Sequence, residues 1–325
     1  MASPRAVLFG AGTSGPALPV CDHYCGVEPR MSKSLQLQAE MGPVFDVTLD
    51  NEDGAPVGAE VEQAHRIAAL VAGPGNRWGR VGVRLLPWGH ARFGDVAQAV
   101  LRGTADAKFK PAYLMLPKPG SLAEVEAAAA EIDRLGGAAI PLHALVETHG
   151  ALRDAFAIAA HARIESLSFG LMDFVSAHRG AIPQSAMGVE GQFDHPLVLR
   201  AKLEIAAACH AAAKTPAHGV VTEFKRTEAL AQAARTACRR LGYTRMWSIH
   251  PAQIRPIVEA FAPGADELEQ ALEIIVAAEA AQWAPIRHRD TLHDRASYRY
   301  FWDLIERARR TGAALPADLQ TAWFG

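Results

Sequence analysis

Short apolar runs alternate with longer helical patterns along most of the chain. The helical stretches are rich in alanine, and the one at 227–241 ends at Gly242 with two arginines in its last turn. Eight runs have the length and abrupt ends of buried strands: 6–9, 44–49, 81–86, 112–116, 139–146, 166–169, 219–222 and 246–249. Buried strands that alternate with amphipathic helices predict a parallel sheet with right-handed crossovers.

Eight such units in about 260 residues match the size of a (β/α)8 TIM barrel, which we assign to residues 1–262. A doubly wound open sheet is the rival fold, and the G-x-G-x-x-G pattern at 10–15 has the spacing of a dinucleotide-binding loop. No helical pattern follows that loop, so we favour the barrel. After Pro263, helical stretches at 266–283 and 296–310 with no further strand predict a C-terminal helical extension over 263–325.

Composition narrows the classes of partner. The chain has 325 residues, of which 50% are hydrophobic, with 33 Lys and Arg against 35 Asp and Glu. No basic block appears, so we expect neither nucleic acid nor a membrane surface as a partner. No apolar stretch reaches the ~20 residues of a membrane helix, and the N-terminus does not have the pattern of a signal peptide. We therefore expect a cytoplasmic protein.

The four cysteines are Cys21, Cys25, Cys209 and Cys238. They are too few and too scattered for a disulfide framework in a chain of this length. Cys21 and Cys25 could form half of a zinc site, but no second Cys or His pair completes it nearby. We expect ordinary reduced thiols.

Polar residues follow seven of the eight predicted strands. In a TIM barrel these positions share the carboxyl-terminal rim, where barrel enzymes carry their active sites. The rim residues, in chain order, are Asp50, Glu52, Asp53, Arg84, Lys118, Glu147, Asp173, Glu223 and His250.

Glu147 and Asp173 follow adjacent predicted strands in surroundings that hold few other charges. Two carboxylates without cysteine or a histidine pair suit a hard divalent ion that keeps several waters, which is Mg²⁺, with Mn²⁺ as a substitute. The alternative is that one carboxylate caps a helix and the other bonds loop amides. The spacing alone leaves both interpretations open.

An ordered set of motifs resembles a known family. The motifs are TLDNEDGAP at 48–56, VR at 83–84, LPK at 116–118, LVET at 145–148, FGLMDF at 169–174, LGY at 241–243 and SIHPAQI at 248–254. In this order the chain resembles the citrate lyase β-subunit-like branch of the HpcH/HpaI aldolases, which are Mg²⁺-dependent barrel enzymes. The resemblance extends over residues 44–263.

The resemblance implies that Glu147 and Asp173 bind Mg²⁺ and that Arg84 contacts a substrate carbonyl or carboxylate. Glu52 and Asp53 would order waters of the metal or transfer protons, and the motifs do not choose between them as the general base. These roles agree with the chemistry, since a metal and a fixed guanidinium stabilise the oxyanion formed when a C–C bond beside a carbonyl breaks. For Lys118 we expect an ion pair with the acidic turn rather than a Schiff base, which would need a desolvated amine.

The implied activity is a carbon–carbon lyase acting on a 3-hydroxyacyl thioester or a related hydroxy acid, with a 2-oxo acid and an acyl enolate as products. Two alternatives stay open: an acyl-thioester hydrolase on the same site, and a catalytically idle binding or scaffold subunit. The partner would be a small-molecule thioester or a hydroxy or 2-oxo acid. The resemblance also implies a homotrimer or hexamer.

The chain departs from the family pattern at two places. His218 lies where relatives have an aspartate, and Arg245-Met246 stands where they have Gly-Lys. His218 could act as a base near neutral pH, but we favour a hydrogen-bonded core histidine. We also interpret His250 as structural.

Overall fold

The computed structural model describes residues 3–10 and 18–325. These form two compact units, one of Leu18–Val258 and one of residues 3–10 with Glu259–Gly325. The first unit is a closed barrel of eight parallel strands in chain order, which confirms the predicted TIM barrel. None of the described helices has the length and apolar character needed to cross a membrane. The sequence-based domains, 1–262 and 263–325, stay a prediction.

The barrel strands are β1 (Cys21–Cys25), β2 (Phe45–Asp50), β3 (Val81–Arg84), β4 (Leu114–Leu116), β5 (Leu142–Val146), β6 (Ile164–Phe169), β7 (Thr215–His218) and β8 (Arg245–Ser248). The helices around them are α2 (Glu28–Met41), α3 (Glu60–Ala72), α4 (Phe93–Gly103), α5 (Leu122–Arg134), α6 (His149–Arg153), α7 (Ala155–Ala160), α8 (Leu171–Ser176), α9 (Pro196–Ala211) and α10 (Thr227–Leu241). Short 3-10 helices at Gln184–Met187 and Gly191–Phe193 precede α9, and α11 (Pro251–Phe261) follows β8.

Alternate residues of β2 carry polar groups into the barrel. Asp46, Thr48 and Asp50 are all fully buried. The carboxylate of Asp46 lies 2.6 Å from Nη1 of Arg245, whose Nη2 lies 3.1 Å from the carboxylate of Asp22. Since a buried charge needs a partner, these ion pairs let charged residues fill the interior of the barrel.

The first predicted strand, at 6–9, is wrong. Pro4–Phe9 is a helix, α1, whose N-cap Ser3 accepts a hydrogen bond from the amide of Ala6 and whose first residue is proline. The barrel instead begins with β1, which reads CDHYC. The apolar pattern missed β1 because Asp22 pairs with Arg245 inside the barrel. The G-x-G-x-x-G pattern at 10–15 therefore follows a helix, and residues 11–17 lie outside the described ranges.

Two further predictions need correction. β7 is Thr215–His218, upstream of the predicted 219–222. It contains Pro216, and a proline is uncommon inside a central strand because it lacks the backbone N–H that pairs with the neighbouring strand. The expectation of no strand after Pro263 is also wrong, because Ile286–His288 (β9) pairs antiparallel with Thr291–His293 (β10). These three-residue strands are too short and too charged to give an alternating pattern.

The second unit has its own apolar core. It contains α12 (Ala265–Ala280), α13 (Arg295–Arg310), α14 (Ala317–Phe324) and the described α1. Trp302 and Trp323 are buried in that core, and Trp283 packs against it. Arg5 of α1 lies 2.7 Å from Glu306 of α13. The tryptophans of the C-terminal region are therefore used within this unit.

The ion pairs of Arg245 give a stability prediction. Arg245→Met should lower the free energy of unfolding by about 3–5 kcal/mol, because Asp22 and Asp46 would stay buried without their shared cation. Urea denaturation followed by circular dichroism measures the change. Arg80→Met is the matched control, since Arg80 pairs with the same Asp46 at 2.8 Å but is 23% exposed. A loss for Arg245→Met no larger than that of the control would contradict the prediction.

Candidate functional site

The five residues predicted for the site lie together at the carboxyl-terminal rim of the barrel. Glu52 and Asp53 follow β2, Arg84 ends β3, Glu147 follows β5, and Asp173 lies in the first turn of α8. Hydrogen bonds and ion pairs connect all five through Lys118, which follows β4.

Asp50 and Tyr24 fix the guanidinium of Arg84. Nε of Arg84 lies 2.6 Å from Oδ1 of Asp50 and Nη2 lies 3.0 Å from Oδ2, so the pair is bidentate. The hydroxyl of Tyr24 donates to Asp50 and accepts from Nη2 of Arg84. Burial alone would lower the pKa of Arg84, but the charge and hydrogen bonds of Asp50, together with Tyr24 and Glu52, outweigh burial and raise that pKa. Arg84 therefore stays charged. Its Nη1 is the guanidinium nitrogen that does not bond Asp50.

Lys118 lies in the middle of the acidic residues. Its Nζ is 2.5 Å from Glu52, 2.7 Å from Asp53 and 3.7 Å from Asp173. Burial would lower the pKa of Lys118, but the hydrogen bonds to Asp53 and Glu52 raise it above its usual value. The amine is charged and paired, which confirms the predicted ion pair with the acidic turn.

Glu147 is the most deeply buried of the four acids among the predicted site residues. Only 3% of the residue is exposed, and Oε1 accepts the backbone N–H of Lys118 at 2.9 Å. Burial and the charge of Asp173 raise the pKa of Glu147 to about 8. A Cβ at Gly170 would come within 2.1 Å of Oε2 of Glu147, so glycine is required there for the carboxylate to take this place.

Glu52 and Asp53 differ in their surroundings. The side chain of Glu52 is 7% exposed and that of Asp53 is 55% exposed. Burial raises the pKa of Glu52 despite Arg84 and Lys118. For Asp53, burial is the largest single effect and would raise the pKa, but the hydrogen bond and charge of Lys118 together with the charge of Arg84 outweigh it, and the pKa is lowered. At neutral pH Glu52 is therefore the better proton acceptor of the two.

The donor set fits a hard divalent ion. The acids offer only oxygen ligands, which a hard ion prefers. The ammonium group of Lys118 lies among them, which indicates that positive charge is favoured at this place. Oε2 of Glu52 is buried without a hydrogen bond, although Nη1 of Arg84 lies 3.0 Å away. Among the described residues, no three His, Cys, Asp or Glu side chains are grouped as a ready metal site. An ion held here would have few protein ligands and keep several waters.

A cleft of about 810 Å³ opens beside this network. Tyr24 belongs to both, because it lines the cleft and its hydroxyl contacts Arg84. Two basic residues, Arg30 and Lys33, lie on the wall formed by α2. The cleft offers apolar surface near Arg84 and positive charge at its side, which suits an elongated anionic molecule.

Sequence comparison agrees with the motifs and with this geometry. A sequence profile described as HpcH/HpaI aldolase/citrate lyase matches residues 49–251, more than half of the chain. The chain belongs to the HpcH/HpaI aldolase/citrate lyase family. The matched segment includes all five predicted site residues together with Asp50 and Lys118.

Two curated relatives are enzymes of Cereibacter sphaeroides. An L-malyl-CoA/β-methylmalyl-CoA lyase is 29% identical over 188 residues, 52% of this chain and 57% of that protein. A (3S)-malyl-CoA thioesterase is 29% identical over 260 residues, 77% of this chain and 81% of that protein. The chain thus aligns with little more than half the length of the lyase.

Two solved structures share the fold. A citrate lyase from Burkholderia xenovorans LB400 is 53% identical, with a TM-score of 0.82 over 95% of this chain and 97% of that one. The CitE protein of Mycobacterium tuberculosis, in complex with magnesium, acetoacetate and coenzyme A, is 22% identical, with a TM-score of 0.67 over 90% and 99%.

The residues that depart from the family pattern lie in the interior. His218 is fully buried, stacks on Phe193 with 5.3 Å between ring centroids and donates from Nδ1 to the carbonyl of Gly219. Burial and the neighbouring Lys202 hold its pKa well below the usual value. His218 is the core histidine that we favoured over a base. Arg245 belongs to the buried ion pairs described above.

The first strand supplies residues that the sequence interpretation left without a role. Tyr24 was missed because its strand was missed. Asp50 was noted only as part of the acidic turn, although the alternation of Asp46, Thr48 and Asp50 in β2 could have indicated an inward-facing polar side. Cys21 and Cys25 are buried and form no disulfide. Burial raises the pKa of Cys25 to about 12, so its thiol is not a nucleophile at neutral pH.

His23 gives a pH prediction for the wall of the cleft. Burial lowers the pKa of His23 to about 4, while its Nδ1 lies 2.9 Å from Oγ of Ser248. The unfolded chain binds a proton near pH 6.5, so folding becomes less favourable as pH falls from about 6.5 to 4. His23→Gln should keep about 1–3 kcal/mol of unfolding free energy that the wild type loses across this range.

Urea denaturation at pH 7 and pH 4.5 tests this prediction. His65→Gln on the exposed side of α3 is the control and should follow the wild type. Equal losses in all three proteins would show that His23 does not titrate as its burial requires.

Proposed function

We propose that this chain is a Mg²⁺-dependent carbon–carbon lyase that cleaves a 3-hydroxyacyl thioester or a related hydroxy acid, or forms one in the reverse direction. The observation that carries the proposal is the joined network of Glu147, Asp173, Glu52 and Arg84 beside an 810 Å³ cleft. The family, the named activity of the malyl-CoA lyase and the magnesium complex of CitE support it. A cytoplasmic location and a homotrimer or hexamer stay predictions.

Glu147 and Asp173 would hold the ion, and Glu52 and Asp53 would contact its waters. When bound, Mg²⁺ supplies positive charge that stabilises negative charge developing on substrate oxygens. Glu147 suits this role because the amide of Lys118 and the close approach of Gly170 fix its carboxylate. Asp173, at 42% side-chain exposure, can adjust to the ion.

Arg84 would receive the thioester or carboxylate oxygen of the substrate. Its Nε and Nη2 are engaged by Asp50 and Tyr24, which leaves Nη1 as the edge for substrate. Nη1 now faces Glu52 at 3.0 Å. A substrate oxygen that binds Nη1 would therefore come next to the carboxylate of Glu52.

Glu52 would be the general base. It takes the proton from the 3-hydroxyl group, the carbinol oxygen becomes the carbonyl of the 2-oxo acid, and the bond between C2 and C3 breaks. The electron pair passes to the acyl group as an enolate, which is protonated to the free acyl thioester. The buried position and raised pKa of Glu52 favour it over Asp53 for this step.

A second candidate is the hydrolysis of an acyl thioester on the same site. It is favoured by the malyl-CoA thioesterase, which the chain matches over 81% of that protein's length. The two activities differ in product, since cleavage gives a 2-oxo acid and an acyl thioester whereas hydrolysis gives a hydroxy acid and a free thiol. With L-malyl-CoA as substrate, hydrazone formation detects the 2-oxo acid and a thiol reagent detects hydrolysis. We expect the 2-oxo acid without free thiol.

The metal site is tested by Glu147→Gln and Asp173→Asn. Each change should lower the rate of cleavage by about 10²-fold or more, because charge that develops on the substrate loses its counter-ion. Titration calorimetry with Mn²⁺ should show binding by the wild type and its loss in both variants. Asp95→Asn is the control, since Asp95 lies in an exposed ion pair with Arg92 on α4. Full activity in EDTA, or in either variant, would refute the proposal, and an idle subunit would show no turnover in any of the four proteins.

A further inference from the structure

The ammonium group of Lys118 contacts acids from two separate segments of the chain. Its ammonium group bonds Glu52 and Asp53 in the loop after β2 and lies 3.7 Å from Asp173 in α8. The side chain is 26% exposed, so these contacts are at the edge of solvent. Lys118 therefore provides positive charge at the point where the acidic groups converge.

The backbone holds Lys118 in this position. Its φ of 50° lies in the left-handed region, which a residue with a side chain adopts at a cost of about 1–2 kcal/mol. In this conformation its N–H points at Oε1 of Glu147. Prolines on both sides, Pro117 and Pro119, restrict the chain further. The backbone N–H and the ammonium group of Lys118 thus contact the two acids that we assign to the metal site, Glu147 and Asp173.

The charges around Lys118 are unbalanced. Five carboxyl groups at this rim, those of Asp50, Glu52, Asp53, Glu147 and Asp173, share the two cations Arg84 and Lys118. Arg84 is committed to Asp50 and faces Glu52. The contacts with Asp53 and Asp173 come from Lys118.

We propose that Lys118 is an internal counter-ion of the metal site, which holds the acidic groups together in the free protein and competes with the divalent ion for them. The inference rests on the proposed function, because it takes Glu147 and Asp173 as the metal ligands. Lys118 thereby sets how tightly the ion binds. Its ammonium group would move away from Asp173 when that carboxylate turns to the ion, and the side chain, at 26% exposure, already reaches solvent.

Binding of Mn²⁺ alone, followed by calorimetry and by electron paramagnetic resonance of the free ion, tests the proposal without any substrate. Lys118→Met should bind Mn²⁺ about tenfold more tightly than the wild type, because a positive charge close to the ion is removed. Lys118→Arg keeps the charge and should stay near the wild type. Lys225→Met removes an exposed lysine elsewhere on the barrel unit and is the matched control, with unchanged affinity.

Thermal unfolding gives a second readout. In EDTA, Lys118→Met should melt roughly 2–4 °C below the wild type, because the acids lose their counter-ion. Saturating Mn²⁺ should remove or reverse this difference. If the methionine variant does not fold, Lys118→Gln takes its place in both experiments.

The outcomes separate the role of Lys118 from the metal site itself. Equal or weaker Mn²⁺ binding by Lys118→Met, with binding lost in Glu147→Gln, overturns only the role of Lys118. No Mn²⁺ binding by the wild type or by either variant overturns the metal site and this inference with it. Tighter binding by Lys118→Met, together with its lower melting temperature in EDTA, supports the inference.

Discussion

The inward-facing side of β2 carries the charges on which the barrel and its mouth depend. Asp46 pairs with Arg245 in the interior. Farther along the same strand, Asp50 holds Arg84 at the rim. Side chains of a strand alternate, so both carboxylates face the same way on one rigid element. The guanidinium that we assign to substrate binding is therefore fixed by the same strand that anchors the interior ion pairs. Rigid placement of this kind is what a preorganised electrostatic site requires.

The rim divides into a fixed part and an adjustable part. Asp50, Arg84 and Glu147 are each less than 5% exposed. Asp50 and Arg84 each hydrogen-bond more than one group, and Glu147 accepts the amide of Lys118 and packs closely against Gly170. The side chains of Asp53 and Asp173 are about half exposed and contact the network through Lys118. Groups that must stay in place are thus buried, whereas groups that would move as an ion or a substrate arrives lie at the surface. The cleft opens beside the fixed part, where Tyr24 joins its wall to Arg84.

Much of the fold could be predicted because buried parallel strands are rich in apolar residues, and the predicted runs overlap six of the eight barrel strands. The two exceptions are β7, which contains Pro216, and β1, which reads CDHYC because Asp22 and Tyr24 form ion pairs and hydrogen bonds with distant residues. Unlike β2, whose polar residues alternate with Phe45, Val47 and Leu49, β1 has no large aliphatic residue that an apolar pattern could detect. The candidate site residues were predicted from their place at the ends of strands and from the family motifs. Tyr24 and the pairing of Asp50 with Arg84 depend on contacts between distant segments, which a single sequence does not show.

The same counter-charges bear on how the barrel folds. In a structural metal site the ligands repel one another until the ion binds, so folding depends on the metal. Here Arg84 and Lys118 already neutralise part of the acidic rim, and the strands that present it are held by buried ion pairs and by the apolar core. The rim can therefore form before any ion arrives, and the free energy of metal binding is not needed for folding. An ion in a site that forms without it exchanges with solvent more readily than a structural ion. This suits a cation that keeps several waters and contacts a new substrate in each catalytic cycle.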